Sequence, residues 1–230
     1  MYNSVKFNNR RKADVSNYIG DYLVPLFFVS GAGALWFLAY KFISAKKSEF
    51  RNFGTGLALY GLAFAVWGLV VLNKPADLGP LTTLGAVPFL FAHLFFLLAV
   101  TNKMKASNKS TVLAGGLAYL VALFALRTFV YPSAPSFSTK GLFYFHAQPV
   151  IIALYVVAFA ASLLPAIDTV SRLIKDKQLR FISQTGFTAA AIGGIILVTS
   201  YDDNLQTING YIMGLTYISL VVAFARKKIA

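Results

Sequence analysis

Residues 183–225 read SQTGFTAAAIGGIILVTS, then YDDNLQT, then INGYIMGLTYISLVVAFA. Two runs of about 18 residues, Ser183 to Ser200 and Ile208 to Ala225, carry no charge, and the acidic loop Tyr201-Asp202-Asp203-Asn204 lies between them. At about 1.5 Å of rise per residue, a helix of that length crosses the hydrocarbon core of a bilayer. The pattern recurs upstream until there are seven such runs. It predicts an all-α, polytopic integral membrane protein, a bundle of seven transmembrane helices.

Working outward from that pair, the spans fall at about 22–43, 54–72, 81–101, 112–131, 142–164, 183–200 and 208–225. A polar tail (1–20) precedes the transmembrane domain (21–226), and a basic tail (227–230) follows it. The 230 residues are 57% hydrophobic and 13% charged, against about 25% charged in a soluble domain. Too little polar surface remains to coat a water-soluble globule, and the length is used up by the spans. The net charge of +13 comes from short basic clusters between apolar runs, which argues against a nucleic-acid partner and for lipid. The absence of cysteine removes disulfides, thiolate nucleophiles and Cys-based metal sites. Arg10-Arg11-Lys12 lead into a run of spanning length rather than a cleavable signal peptide.

Lysine and arginine set the expected orientation. The loops after spans 1, 3 and 5, with the C-terminal end, hold about two-thirds of the 21 basic residues. That side is expected in the cytoplasm and the N-terminus outside, in a plasma (inner) membrane, although Arg10-Arg11-Lys12 pull the other way. Small residues predict helix contacts, because close backbone approach replaces the hydrophobic drive that lipid removes. Gly186, Ala190 and Gly194 form such a stripe and predict a central position for span 6. Gly31 and Gly33, Gly61 and Gly68, and Gly115-Gly116 predict weaker contacts.

Three residues within or at the edge of the spans are candidates for chemistry. Arg127 lies about one turn from the outer end of span 4, and a buried charge there must face the interior and be paired, or snorkel to the headgroups. With His146, Gln148, Asp202, Asp203 and Asn204 at similar height, it outlines an outward-facing polar ligand pocket. His93 lies about 12 residues from the outer end of span 3, roughly 18 Å deep, whereas His146 is only about 4 residues into span 5. The two are too far apart in depth to grip one iron. His93 is either hydrogen-bonded to a neighbouring helix, a single axial ligand, or a pH sensor. The charged connector 168–181 is expected to lie along anionic headgroups or to dock a cytoplasmic partner. No lysine lies in span 7 for a retinal Schiff base, no mid-depth carboxylate serves ion coupling, and no catalytic or metal-binding motif occurs. An enzyme is not expected, nor a metal or other cofactor.

The seven helices with basic inner loops, the Pro88-Phe89-Leu90-Phe91-Ala92-His93 stretch, and the Lys177-Gln178-Leu179-Arg180 step towards Gly186 resemble the seven-transmembrane N-terminal sensor region of bacterial histidine kinases. The resemblance implies a similar helix number and orientation, and a cytoplasmic signalling domain after span 7. This chain ends at Ala230, just after Arg226-Lys227-Lys228, so the resemblance implies either output through a separate partner or a stand-alone relative. The expected function is therefore a non-enzymatic sensor or interaction module, receptor-like in signal transduction. The alternatives are a small-molecule transporter or channel, and a haem- or pigment-binding subunit of a membrane complex.

Overall fold

A computed structural model describes residues 24–73, 78–138, 141–227 and 229. Seven helices in it are long and apolar enough to cross a membrane, so the chain is a multi-pass membrane protein. They are α1 (Val24–Ile43), α2 (Ser48–Asn73), α3 (Gly79–Thr101), α4 (Ala106–Val130), α5 (Pro149–Leu173), α6 (Lys177–Thr199) and α7 (Asp203–Arg226). Two short strands, β1 (Ser136–Phe137) and β2 (Phe143–Tyr144), pair antiparallel between α4 and α5. The polar tail 1–20, Asp21 and the first residues expected in span 1 lie outside the described residues, as do Lys74 and Pro75.

Several boundaries differ from the expected ones. Helix α2 begins at Ser48 and α4 at Ala106, because polar first turns project past the membrane without breaking backbone hydrogen bonding. The fifth span is displaced as a whole. Residues 143–144 form β2, residues 145–148 follow without helix, and the helix starts at Pro149 and runs to Leu173. Proline is favoured in a first helical turn, and the residue before it is pushed out of helical geometry; Gln148 is accordingly extended. The connector 168–181 is not a separate surface helix. It is the end of α5, a break at residues 174–176, and the start of α6, which Asp176 caps by accepting from the Leu179 N–H at 2.8 Å.

Helix α2 is the centre of the bundle, with 56% of its span buried against 22% for α6. The expected central position of span 6 is thereby corrected. Its glycines serve a pairwise contact with α7: a Cβ at Gly186 would stand 2.8 Å from Leu220, and one at Gly193 2.5 Å from Met213. Ala190 is half-buried, and Gly194 rests near Phe159 of α5. The tightest seam is α1 on α2. Gly54, Gly61 and Gly68 recur every seven residues, and a Cβ at Gly54 would come within 2.9 Å of the α1 backbone at Ala39. Such close approach is what small residues permit in lipid.

Phe53, Tyr60 and Trp67 repeat at the same interval on α2 and start a column of rings through the bundle. Consecutive centroid distances are 4.9 Å for Phe143–Phe145 and Phe145–Trp67, then 5.5 Å to Phe89, 4.8 Å to Tyr60 and 5.3 Å to Phe96. The column continues 5.5 Å to Phe53 and 5.1 Å to Phe42, which touches Phe50 and Phe224. It joins the hairpin face of the bundle to the opposite, basic face. On the basic face Asn102 donates to Ser48 at 2.6 Å, and Lys227 pairs with Asp176 at 2.5 Å.

Two helices widen locally to π geometry, at Leu126–Val130 in α4 and Phe159–Leu163 in α5. Pro165 explains the second: a proline inside a helix clashes with the carbonyl four residues back, here Ala161, and the extra residue relieves the clash. The first ends α4 ahead of Pro132, with the Tyr131 N–H donating to the Leu126 carbonyl at 2.7 Å.

Candidate functional site

The hairpin and the segment after it close one end of the bundle. From Phe143 to Phe145 the chain is extended, so alternate side chains face opposite ways. Phe143, Phe145 and Ala147 are buried towards the helices. Tyr144 and His146 meet α7 and the turn before it: the Tyr144 hydroxyl donates to Asp203, and the His146 ring stacks on Tyr201 at 5.0 Å and 11°. His146 Nε2 bonds the Ser136 hydroxyl at 2.7 Å, and the Tyr201 hydroxyl donates to the Ala147 carbonyl at 3.0 Å. His146 is also the one non-glycine residue with positive φ (46°) among those described, a conformation held only when its surroundings over-determine it. Burial, reinforced by the Asp203 carboxylate, pushes the Tyr144 hydroxyl well above its ordinary pKa, so it stays a proton donor.

Beneath this cap the π segment of α4 turns Arg127 inward. Its side chain is 5% exposed, and Nη1 has no hydrogen-bond partner. It lines a cavity of about 20 Å³ walled by Trp67, Phe89, Phe145 and Tyr155, with Ser133 at the rim. Tyr155 shares the cavity wall with Arg127, and its hydroxyl can both donate and accept. No carboxylate of the described residues forms an ion pair with it. The neighbouring Thr128 hydroxyl is also buried without a partner.

His93 is the opposite case. At 1% exposure it sits mid-column, with Nε2 2.9 Å from the Tyr60 hydroxyl and Nδ1 2.6 Å from Ser162 Oγ. Ser162 donates to the Ala158 carbonyl at 2.8 Å, so its oxygen accepts from Nδ1–H, and Tyr60 donates to Nε2. Both ring nitrogens are used, in a neutral imidazole joining α2, α3 and α5. Axial ligation would first have to break one of these bonds.

The expected pocket residues thus fall into separate places. Arg127 is in the cavity, and His146 and Asp203 are in the cap above it. Asp202 caps α7 by accepting from the Leu205 N–H at 2.7 Å. Gln148 and Asn204 are exposed. The sequence reading missed Tyr144, Tyr201, Tyr155 and Trp67. The available signal was the alternation of large and polar residues in 143–147, a two-residue period at odds with a helix. Among the described residues no cluster of His, Asp and Glu is fit to hold a metal.

The fold and this site define a class, a seven-helix multi-pass membrane protein with a buried arginine, in no ion pair among the described residues, under a polar cap. No protein-family model, curated protein or solved structure matches the chain.

Proposed function

We propose that the protein is a non-enzymatic seven-helix membrane sensor or interaction module of a bacterial inner membrane, which signals to or assembles with a separate partner. In this reading the hairpin face is outside and the basic face cytoplasmic, as the distribution of lysine and arginine favours. The observation that carries it is Arg127: a buried cation with no counter-charge among the described residues, in a cavity beneath a hydrogen-bonded cap. Occupancy of such a site changes the free energy of the helix that bears it, and a ligand shifts an equilibrium by its differential affinity for the two states.

The bearing helix is suited to move. Only 17% of the α4 span is buried, and grooves of about 220 and 320 Å³ flank it. Close-packed rings change arrangement in discrete steps rather than yielding gradually, and the column from Phe145 to Phe42 supplies a path to the cytoplasmic face.

The test uses the cysteine-free chain. Spin labels on Lys105→Cys and Gln178→Cys, at the cytoplasmic ends of α4 and α6, report one distance distribution in the parent. The distribution is expected to shift in Arg127→Met. An unchanged distribution in a folded Arg127→Met protein overturns the reading.

A further inference from the structure

We infer that the Arg127 cavity is a binding site for a monatomic anion of halide size. This deepens the sensor reading, on whose pocket it rests, by naming the class of ligand.

Three observations lead there. The first is charge. A guanidinium stays protonated in proteins, and a buried charge is retained only where it is paired. Arg127 is 5% exposed, with Nη1 unpartnered and no carboxylate of the described residues in an ion pair with it. A water molecule would satisfy the hydrogen bond and leave the charge uncompensated.

The second is the donor set. Arginine has donors only, and the Tyr155 hydroxyl on the same wall has a proton to donate. Ser133 adds a hydroxyl at the rim, and the Trp67 indole N–H is directed away, to the Thr82 carbonyl at 3.4 Å. The polar side-chain groups on the cavity are all able to donate, which suits an acceptor-only guest. The rings of Trp67, Phe89 and Phe145 line the cavity with apolar surface, and ring edges carry positive partial charge.

The third is size. A cavity of about 20 Å³ exceeds the roughly 10–15 Å³ that admits one water-sized particle, and it is far too small for a carboxylic acid of metabolic size. Charge, donors and volume agree on one small anion.

The experiment uses the two tryptophans, of which Trp67 walls the cavity. In detergent-purified Trp36→Phe protein, Trp67 is the only tryptophan emitter. Bromide is titrated against gluconate at constant ionic strength. The expected result is a saturable phase of quenching that chloride competes away, and its loss in Trp36→Phe/Arg127→Met. Linear, collisional quenching that chloride does not affect overturns the inference, and Trp36→Phe alone is enough to show this should the double variant not fold. Trp36→Phe/Arg127→Lys, which keeps the charge, is expected to retain a weaker saturable phase. The outcome is independent of the spin-label test. Saturable binding with an unchanged distance distribution leaves the anion site and removes the sensor, whereas a shifted distribution without binding removes the anion and leaves the sensor.

Discussion

His93 and Arg127 are both buried polar side chains in helices that cross the membrane, and they are treated in opposite ways. His93 has a partner at each ring nitrogen, from two other helices. Arg127 keeps a buried nitrogen with none. A fully satisfied polar network in low dielectric rigidifies the core around it, and a partly satisfied one is costly. The first arrangement is a clasp at the middle of the bundle. The second, one turn from the end of its most peripheral helix, holds a cost that nothing among the described residues offsets. Burial alone therefore does not separate structure from function here; completion of the hydrogen bonds does.

The comparison breaks most decisively at His93. His93→Ala empties a packed site and strands the Tyr60 and Ser162 hydroxyls, so a loss of about 3 kcal/mol is expected, read as a lower unfolding midpoint in detergent. A loss below about 0.5 kcal/mol would mean that the clasp holds nothing. Arg127→Met should act with the opposite sign, because replacing an uncompensated buried charge by an apolar chain of similar length is neutral or stabilising, by about 1 kcal/mol. That measurement belongs in gluconate buffer. In saturating chloride the gain should shrink, since a ligand of the native state stabilises the parent by mass action. A loss as large as that for His93→Ala would show that the chain itself supplies the missing partner.

The cap sharpens the contrast from the side of pH. Tyr144 has its pKa raised by burial first and by Asp203 second, above an unfolded value near 10. Its contribution is therefore complete below about pH 10 and is lost as pH rises towards the folded value. The parent should lose stability above pH 10 more steeply than Tyr144→Phe, with the two curves parallel at neutral pH. Curves that stay parallel to pH 11 would place the Tyr144 hydroxyl in water.

The seven spans were legible because hydropathy and length act on every residue of a helix in lipid. The orientation of side chains was less so. The spacing of Gly186, Ala190 and Gly194 resembles a central seam, yet it is the glycines of α2, seven residues apart, that bring backbones together. A small-residue stripe shows that something approaches, without showing whether the helix is central. Arg127 could be singled out from its cost in a membrane, but the π segment that carries it and the rings of Trp67, Phe89 and Phe145 that share its cavity could not. Gln148 and Asn204 share its height and point elsewhere, because sequence position fixes depth in a span and leaves azimuth free. His93 offered three readings, and only the positions of Tyr60 and Ser162, 33 residues before it and 69 after, show which geometry it meets.

The smallest effect concerns what keeps Arg127's helix in place. Besides the cavity wall that Arg127 and Tyr155 share, α4 is tied to α5 by the Tyr119 hydroxyl, which donates to the Leu154 carbonyl at 2.6 Å. Hydrogen bonds between membrane helices average about 0.6 kcal/mol, because the separated helices find other partners. Tyr119→Phe should therefore lower global stability by about that amount, near the limit of detection. Hydrogen exchange localises the change better, since local opening is set by the few contacts that hold a segment rather than by the whole fold. In Tyr119→Phe the amides of α4 should exchange faster while those around Tyr60 and His93 keep their protection. Equal acceleration in α2 and α3 would mean that α4 and the His93 clasp open as one unit, and the division between a rigid aromatic core and a loosely held arginine helix would fail.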